Sequence, residues 1–291
     1  MRLNKYLSNF FKLIFILFIT FTLSHKTVFA SNIITDKQIR LDIGYCPYGM
    51  LQTAVMKEKM FYKKYAPNLE INWYFGKYSF ELIDAWIAGK INFAYLGNMP
   101  AIMLEARQDT NTTWVGNACS NRGEVGQVFV PEDSPAKSIK DLNGKIIATG
   151  FASSHHRILE VIQDQEDILM HVANIDPELL ITNYEAGKCL YDGFLYWPPY
   201  LDYFLDKNIG KPIQNCTKYE PEVNSIWPIV VSDQFLQENP GIVKAFVKAD
   251  QDLHDFMKNH PRKAAEIVYR ALDKKFPFEV ILNSLARYKY S

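Results

Sequence analysis

The segment INFAYLGNMPAIM, residues 91–103, runs alternating apolar residues into Gly97, Asn98 and Met99 and sets Pro100 where a helix can begin. A strand that ends on small, flexible backbone at a helix start exposes N–H groups with no partner inside the helix. Such groups hold anions or polar ligand oxygens. GFASSHHR, from Gly150, has the same form: KIIAT reads as a strand, Gly150 to Ser153 as the turn, and HHRILEVIQ as a helix. Ser153 and Ser154 there either cap the helix or offer hydroxyls to a ligand. The neighbours His155 and His156 invite a metal reading, but consecutive helical residues point about 100 degrees apart, so joint chelation is poor and neither metal nor cofactor is expected. Trp197 and Tyr200, beside Pro198 and Pro199, either close over a ligand or pack at an edge. Tyr48, after the first strand, either touches a ligand or faces solvent. No G-x-S-x-G, H-E-x-x-H or P-loop pattern appears, and nothing points to an enzyme.

Residues 1–30 read as a cleavable secretory signal peptide. Arg2, Lys5 and Lys12 precede the apolar run LIFILFITFTL, and TVFA, with Val28 and Ala30, is a small-residue cleavage site before Ser31. The apolar run is short for a membrane span, which needs roughly 20 residues. The leader carries four basic residues and no acidic ones, so 28 Lys plus Arg remain against 32 Asp plus Glu, a net charge of −4 in 261 residues. That balance, without a basic stripe, argues against nucleic acid as a partner. Cys46, Cys119, Cys189 and Cys216 follow the leader; they are either paired or buried as free thiols, and their spacing matches no zinc or redox motif.

The elements that must position these junctions alternate. QIRLDIG reads as a strand, LQTAVMKEKMF as a helix and LEINWYF as a second strand. Ser79 caps a helix with Leu82, Ile83, Trp86 and Ile87 on its inner face, and INFAYL is a third strand. This order implies parallel pairing in an open α/β sheet, whose ligands sit beyond the carboxyl ends of the strands, here at YCPYG, LGNM and GNACS. After EVGQVFV the pattern restarts: KIIAT, LLITNY and GFLYW read as strands of a second unit. SIWPIVVS then returns, followed by helices opening at Asn239–Pro240 and Pro261. The chain is thus expected to build two α/β lobes, 31–130 plus 225–291 and 131–224, crossing between them near 126–131 and 225–231. A cleft between such lobes traps a small ligand.

These residues resemble the periplasmic substrate-binding proteins of ABC importers, in the nitrate, sulfonate and taurine group. The likeness is carried by KEKMFYKKYAPNLEINWY, LIDAWIAGKINFAYLGNMPAIM, DLNGKIIAT, SSHHRIL and DGFLYWPPY, over residues 38–260. The resemblance implies the two-lobe type II binding-protein fold with two hinge crossings, a periplasmic location, and a monomer that delivers a small polar solute unchanged to an ABC permease and its ATPase subunits. It implies ligand contacts at Asn98 and Met99 in the first lobe, at Ser153, Ser154 and His155 in the second, and at Trp197 as an aromatic lid. Glu124 matches a hinge carboxylate that would face the ammonium of a taurine-like sulfonate. Nitrate, other alkanesulfonates and a pyrimidine precursor of thiamine are the alternatives. Pyrimidine synthases share the fold but carry a cysteine-rich cluster, which this chain lacks. Relatives also have room for one more helix between ITNY and AGKCLYDG, and continue beyond LARYKYS.

Overall fold

The computed structural model describes residues 38–290; the signal peptide read over 1–30 lies outside the described residues. The opening alternation forms as read: β1 (Ile39–Tyr45), α1 (Gln52–Lys59), β2 (Leu69–Phe75), α2 (Ser79–Ile87), β3 (Phe93–Tyr95) and α3 (Asn98–Glu105). Next come β4 (Thr112–Arg122) and β5 (Gln127–Val130), then β6 (Ile146–Thr149), α4 (Ser154–Glu166), β7 (His171–Asn174) and α5 (Pro177–Glu185). β8 (Gly193–Phe194), α6 (Tyr200–Lys207) and β9 (Lys211–Asn215) complete the second unit. β10 (Asn224–Ser232) leads back to α7 (Asp233–Glu238), α8 (Pro240–Asn259), α9 (Pro261–Ala271) and α10 (Phe278–Ala286). No helix among the described residues is long and apolar enough to cross a membrane.

Two five-stranded sheets result, ordered β2-β1-β3-β10-β4 and β7-β6-β8-β5-β9. β1 lies parallel between β2 and β3, and β6 parallel between β7 and β8, as helical crossovers require. The sheets are mixed rather than wholly parallel, because β10 runs antiparallel to β3 and β4, and β5 runs antiparallel to β8 and β9. Each sheet with its helices is one lobe. The chain leaves the first sheet where Arg122 faces Asn224 and enters the second where Gln127 faces Asn215, so the two crossings run side by side. They fall just ahead of the expected positions, and β5, which a boundary at 130 assigns to lobe 1, pairs in the second sheet. Gly123 sits in the first crossing with φ of +84°, and a Cβ there would lie 2.9 Å from the Cys216 backbone of the second.

One expected strand is a helix. LLITNY lies in α5, which Asp176 opens by accepting the Glu178 N–H, with Pro177 in the first turn. A six-residue apolar run has too little length to separate strand from helix, and the Asp-Pro start decides it. β7 and β9 are short and polar, and neither carries a strand pattern in sequence. All four cysteines are free thiols, three of them buried.

Aromatic rings fill both cores. Phe93 and Phe246 meet edge to face at 4.8 Å in lobe 1, while Phe129 and Phe194 stack at 5.4 Å in lobe 2. The lobes are also tied by charge: Ser284 Oγ donates to Asp202 Oδ2 at 2.7 Å, and Arg287 reaches Asp202 at 2.8 Å and the Glu124 carbonyl at 2.9 Å. The Asp202 side chain is 2% exposed, so losing Arg287 strands a buried carboxylate. In urea denaturation Arg287→Ala is expected to cost about 3 kcal/mol, whereas Arg270→Ala, which breaks an exposed pair with Glu58, should cost roughly 1 kcal/mol or less. Equal small losses would show that the Asp202 pair does not hold the lobes.

A second buried acid lies in lobe 1. Asp250 Oδ1 accepts from Tyr95 Oη at 2.9 Å, and His254 Nε2 lies 3.2 Å from its Oδ2 and 2.9 Å from the Ala118 carbonyl. Burial pushes the Asp250 carboxyl up to about 7. The folded chain then keeps a proton that the unfolded chain has lost, so stability falls as pH rises from about 4 towards about 7 and levels off above. Asp250→Asn cannot ionise and still accepts from Tyr95. Its melting temperature relative to the parent should therefore rise between about pH 5 and pH 7.5; a constant difference would remove this linkage.

Candidate functional site

The two junctions singled out in sequence meet. Gly97 precedes α3 at the end of β3, and a Cβ on it would lie 3.1 Å from Ser154 Oγ at the start of α4 in the other lobe. Between the lobes lies a cavity of about 200 Å³. Lobe 1 contributes Cys46, Gly49, Met50, Tyr78, Ser79, Phe80, Gly97, Pro100 and Trp227, and lobe 2 contributes residues 150–155, residues 174–177 and Trp197. The volume is below the roughly 300–1,000 Å³ of pockets for drug-sized ligands, which fits a small solute.

The helix starts around this cavity differ in what they leave open. At α3, Asn98 Oδ1 accepts the Met99 N–H at 2.9 Å and Pro100 has no N–H, so the junction spends part of its own donor capacity. At α5, Asp176 takes the Glu178 N–H and Pro177 again has none. At α4, Ser153 Oγ accepts the His156 N–H at 3.1 Å and donates to the Gly150 carbonyl at 2.6 Å. Ser154 Oγ and the amides of Ser154 and His155 make no hydrogen bond within the described chain. At α2 the capping residue is Tyr78, with no side-chain cap, and the Ser79 and Phe80 amides are open. The amides of Ser79, Phe80, Ser154 and His155 and the Ser79 and Ser154 hydroxyls thus belong to lining residues and make no hydrogen bond among the described residues.

Ser153, Ser154, His155 and Trp197 thus line the cavity, and the other expected contacts do not. Ser153 acts as the cap. The His155 ring is 1% exposed, with Nε2 2.9 Å from the Val125 carbonyl beside the hinge. Burial pushes this imidazole down to about 4, so it is neutral at physiological pH and Nε2 carries the donated proton. Trp197 is held edge-on to Tyr78 at 5.9 Å, and a Cβ on Gly150 would lie 3.1 Å from its ring. Asn98 and Met99 fall between Gly97 and Pro100 in the chain but do not line the cavity. Tyr48 stacks on Tyr200 of lobe 2 at 6.2 Å, with Lys275 Nζ 5.2 Å from its ring centroid. Glu124 lies at the crossing, accepting the Arg122 N–H, with Lys289 Nζ 3.5 Å away. GNACS, expected at a strand end, is the middle of β4 and also lies off the cavity.

Sequence reading missed Tyr78, Ser79 and Phe80 at the start of α2, the β7–α5 turn, and Trp227. Ser79 was legible only as a cap, and the Asp176–Pro177 helix start was the unused signal for the turn. Asp176 is the one charged side chain on the cavity wall among the described residues. Burial raises its carboxyl, but Lys77 Nζ at 2.5 Å and the Tyr78 hydroxyl outweigh this and leave it below the usual carboxylate range. Two residues on, Glu178 takes Lys275 Nζ at 2.5 Å and Tyr200 Oη at 2.9 Å. Lys77, Tyr78 and Lys275 come from lobe 1, so these bonds latch the lobes beside the cavity.

No protein-family model matches the chain. A protein of Escherichia coli (strain K12), provisionally described as aliphatic sulfonates-binding, is 25% identical over 166 residues. The match covers 55% of this chain and about half the length of that relative. Among solved structures, the alkanesulfonate-binding protein SsuA of Xanthomonas axonopodis pv. citri, bound to MOPS, has a TM-score of 0.75 at 17% identity, covering 86% of this chain and 84% of that one. The periplasmic aliphatic sulphonate binding protein SsuA of Escherichia coli has a TM-score of 0.73 at 18% identity, with coverages of 86% and 79%. The periplasmic nitrate-binding protein NrtA of Synechocystis PCC 6803 has a TM-score of 0.70 at 12% identity, with coverages of 86% and 75%. At such identities the structures establish the fold. This chain has the two-lobed fold seen in periplasmic binding proteins, and its likeness in sequence and in shape is to the sulfonate- and nitrate-type proteins of that fold.

Proposed function

We propose that this chain is the solute-binding component of an ABC importer, a periplasmic monomer that captures a small sulfonate-type compound between its lobes and hands it unchanged to a permease with its ATPase subunits. The observation that carries this reading is the set of open donors on one cavity. The amides of Ser79, Phe80, Ser154 and His155 and the Ser154 hydroxyl border a space otherwise walled by aromatic and apolar groups.

The energies suffice. A helix N-terminus contributes roughly 0.3 to 1 kcal/mol to a nearby anion, and up to about 2 kcal/mol when partly buried. Each charge-assisted hydrogen bond adds about 1.5–3 kcal/mol before desolvation costs. Micromolar binding needs about 8 kcal/mol net. Charge-assisted bonds from four amides and one hydroxyl total roughly 7.5–15 kcal/mol before desolvation, which brings that value within reach without a cationic side chain on the wall. The site offers donors and apolar surface, with no nucleophile held by a base, so the solute is expected to leave as it entered.

A taurine-like compound is the narrower form of this reading. Its ammonium needs a carboxylate, and with Glu124 off the cavity that role falls to Asp176, which Lys77 and Tyr78 already occupy. Nitrate or a pyrimidine would use fewer of the donors or more of the rings.

Thermal-shift screening of the chain from Ser31 onward against sulfonates, nitrate and pyrimidines tests the reading, because a ligand that binds only the folded state raises the melting temperature. A shift with nitrate or a pyrimidine and none with any sulfonate would overturn it. The two serines should separate. Ser154→Ala is expected to weaken sulfonate binding by about tenfold or more, through one lost charge-assisted bond. Ser153→Ala should instead cost about 1 kcal/mol of stability through the lost cap. If calorimetry finds affinity unchanged in Ser154→Ala, that hydroxyl is not a ligand contact.

A further inference from the structure

We infer that the solute this cavity selects carries its sulfonate on an uncharged, flat apolar body, an aryl or aralkyl sulfonate, rather than on an aminoalkyl chain. This rests on the sulfonate reading above and narrows it.

The wall is built for a ring. Tyr78, Phe80 and Trp227 face the cavity from lobe 1, and Phe151 and Trp197 face it from lobe 2. Phe80 and Phe151 are each 44% exposed, one on either lobe. Neither is loose: Phe80 stacks on Tyr78 at 5.5 Å and Phe151 on His156 at 5.0 Å, with planes within 24° and 10° of parallel. Each rim ring is thus braced on one face and leaves apolar surface for an occupant to cover. Each also stands next to open donors. Phe80 bears one of the free amides of α2, and Phe151 lies three residues before Ser154. A sulfonate on those donors therefore has a rim ring beside it on either lobe.

The same wall offers an ammonium group no unengaged carboxylate among the described residues. Asp176 is its one charged side chain among the described residues, and both carboxylate oxygens are engaged. Oδ1 accepts the Glu178 N–H at 2.8 Å, and Oδ2 accepts Lys77 Nζ and the Tyr78 hydroxyl. An ammonium would have to share these oxygens with Lys77, Tyr78 and the Glu178 N–H, or else go without a carboxylate partner while desolvated, which is costly. A flat hydrocarbon surface pays no such cost and gains with every unit of apolar area it covers, and more where it packs against aromatic rings.

The test is titration calorimetry of the chain from Ser31 onward with benzenesulfonate, ethanesulfonate, taurine and benzyl alcohol, the last being a ring without the anion. The expected result is benzenesulfonate binding at least about tenfold tighter than ethanesulfonate, with taurine weakest. In the double variant Phe80→Ala, Phe151→Ala benzenesulfonate and ethanesulfonate should bind within about threefold of each other. Ethanesulfonate or taurine binding as tightly as benzenesulfonate would overturn the aryl assignment and leave the sulfonate reading standing. A preference for benzenesulfonate that survives the double variant would overturn the role given to the rim rings. If none of the three sulfonates binds, the sulfonate reading itself falls, whether or not benzyl alcohol binds.

Discussion

A backbone N–H in the first turn of a helix has no partner within that helix, and the cleft depends on where this chain leaves such groups open. Helices α2–α5 start around the cavity, and α3 and α5 spend part of their own donor capacity. Asn98 folds its side chain back on Met99 and Pro100 removes a donor; Asp176 and Pro177 do the same for α5. The starts of α2 and α4 keep theirs. Polarity at the cleft is therefore allocated by residue choice in the first turn: Asx-Pro pairings silence a helix end, and serines leave it able to bind. Gly97 lets the opposing lobe approach, since a side chain there would press on Ser154.

Closure is supplied from elsewhere. Lobe 2 brings Asp176, Glu178 and Asp202 to the interface, and lobe 1 answers with Lys77, Lys275 and Arg287. The first two pairs are about one-third exposed, so each is worth little alone and weakens with salt. The Asp202–Arg287 pair is nearly dry, and Ser284 adds a hydrogen bond. Tyr288, next along the chain, donates to the Gly49 carbonyl and packs on Trp227, both on the cavity wall. The segment that anchors lobe 2 thereby also braces the binding surface of lobe 1.

What could be read in sequence was what depends on near neighbours. The strand-to-helix junctions at Gly97 and Ser153–Ser154 have local signatures, and both border the cleft. The parallel half of each sheet follows from strand–helix alternation. The antiparallel half depends on where β10 and β9 return, which near neighbours do not determine. α5 passed for a strand because its apolar run is short, and this hid Asp176 on the cavity wall. Glu124 was assigned by motif likeness in a short polar stretch, and only the crossing geometry turns its carboxylate towards Arg122 and Lys289. Tyr48 left two alternatives in sequence and took a third, packing between the lobes.

The electrostatic character of the cavity constrains which anions it can hold. Among the described residues its donors are peptide dipoles and serine hydroxyls, its histidine is neutral, and its one full charge is negative and already paired. The cost of removing an ion from water rises with the square of its charge, and fixed dipoles do not repay that cost as a buried cation would. A dianion therefore needs more donors than a monoanion to enter this cavity. A singly charged head group that spreads its charge over several oxygens, attached to an apolar body, loses least and meets a donor or a ring on each side.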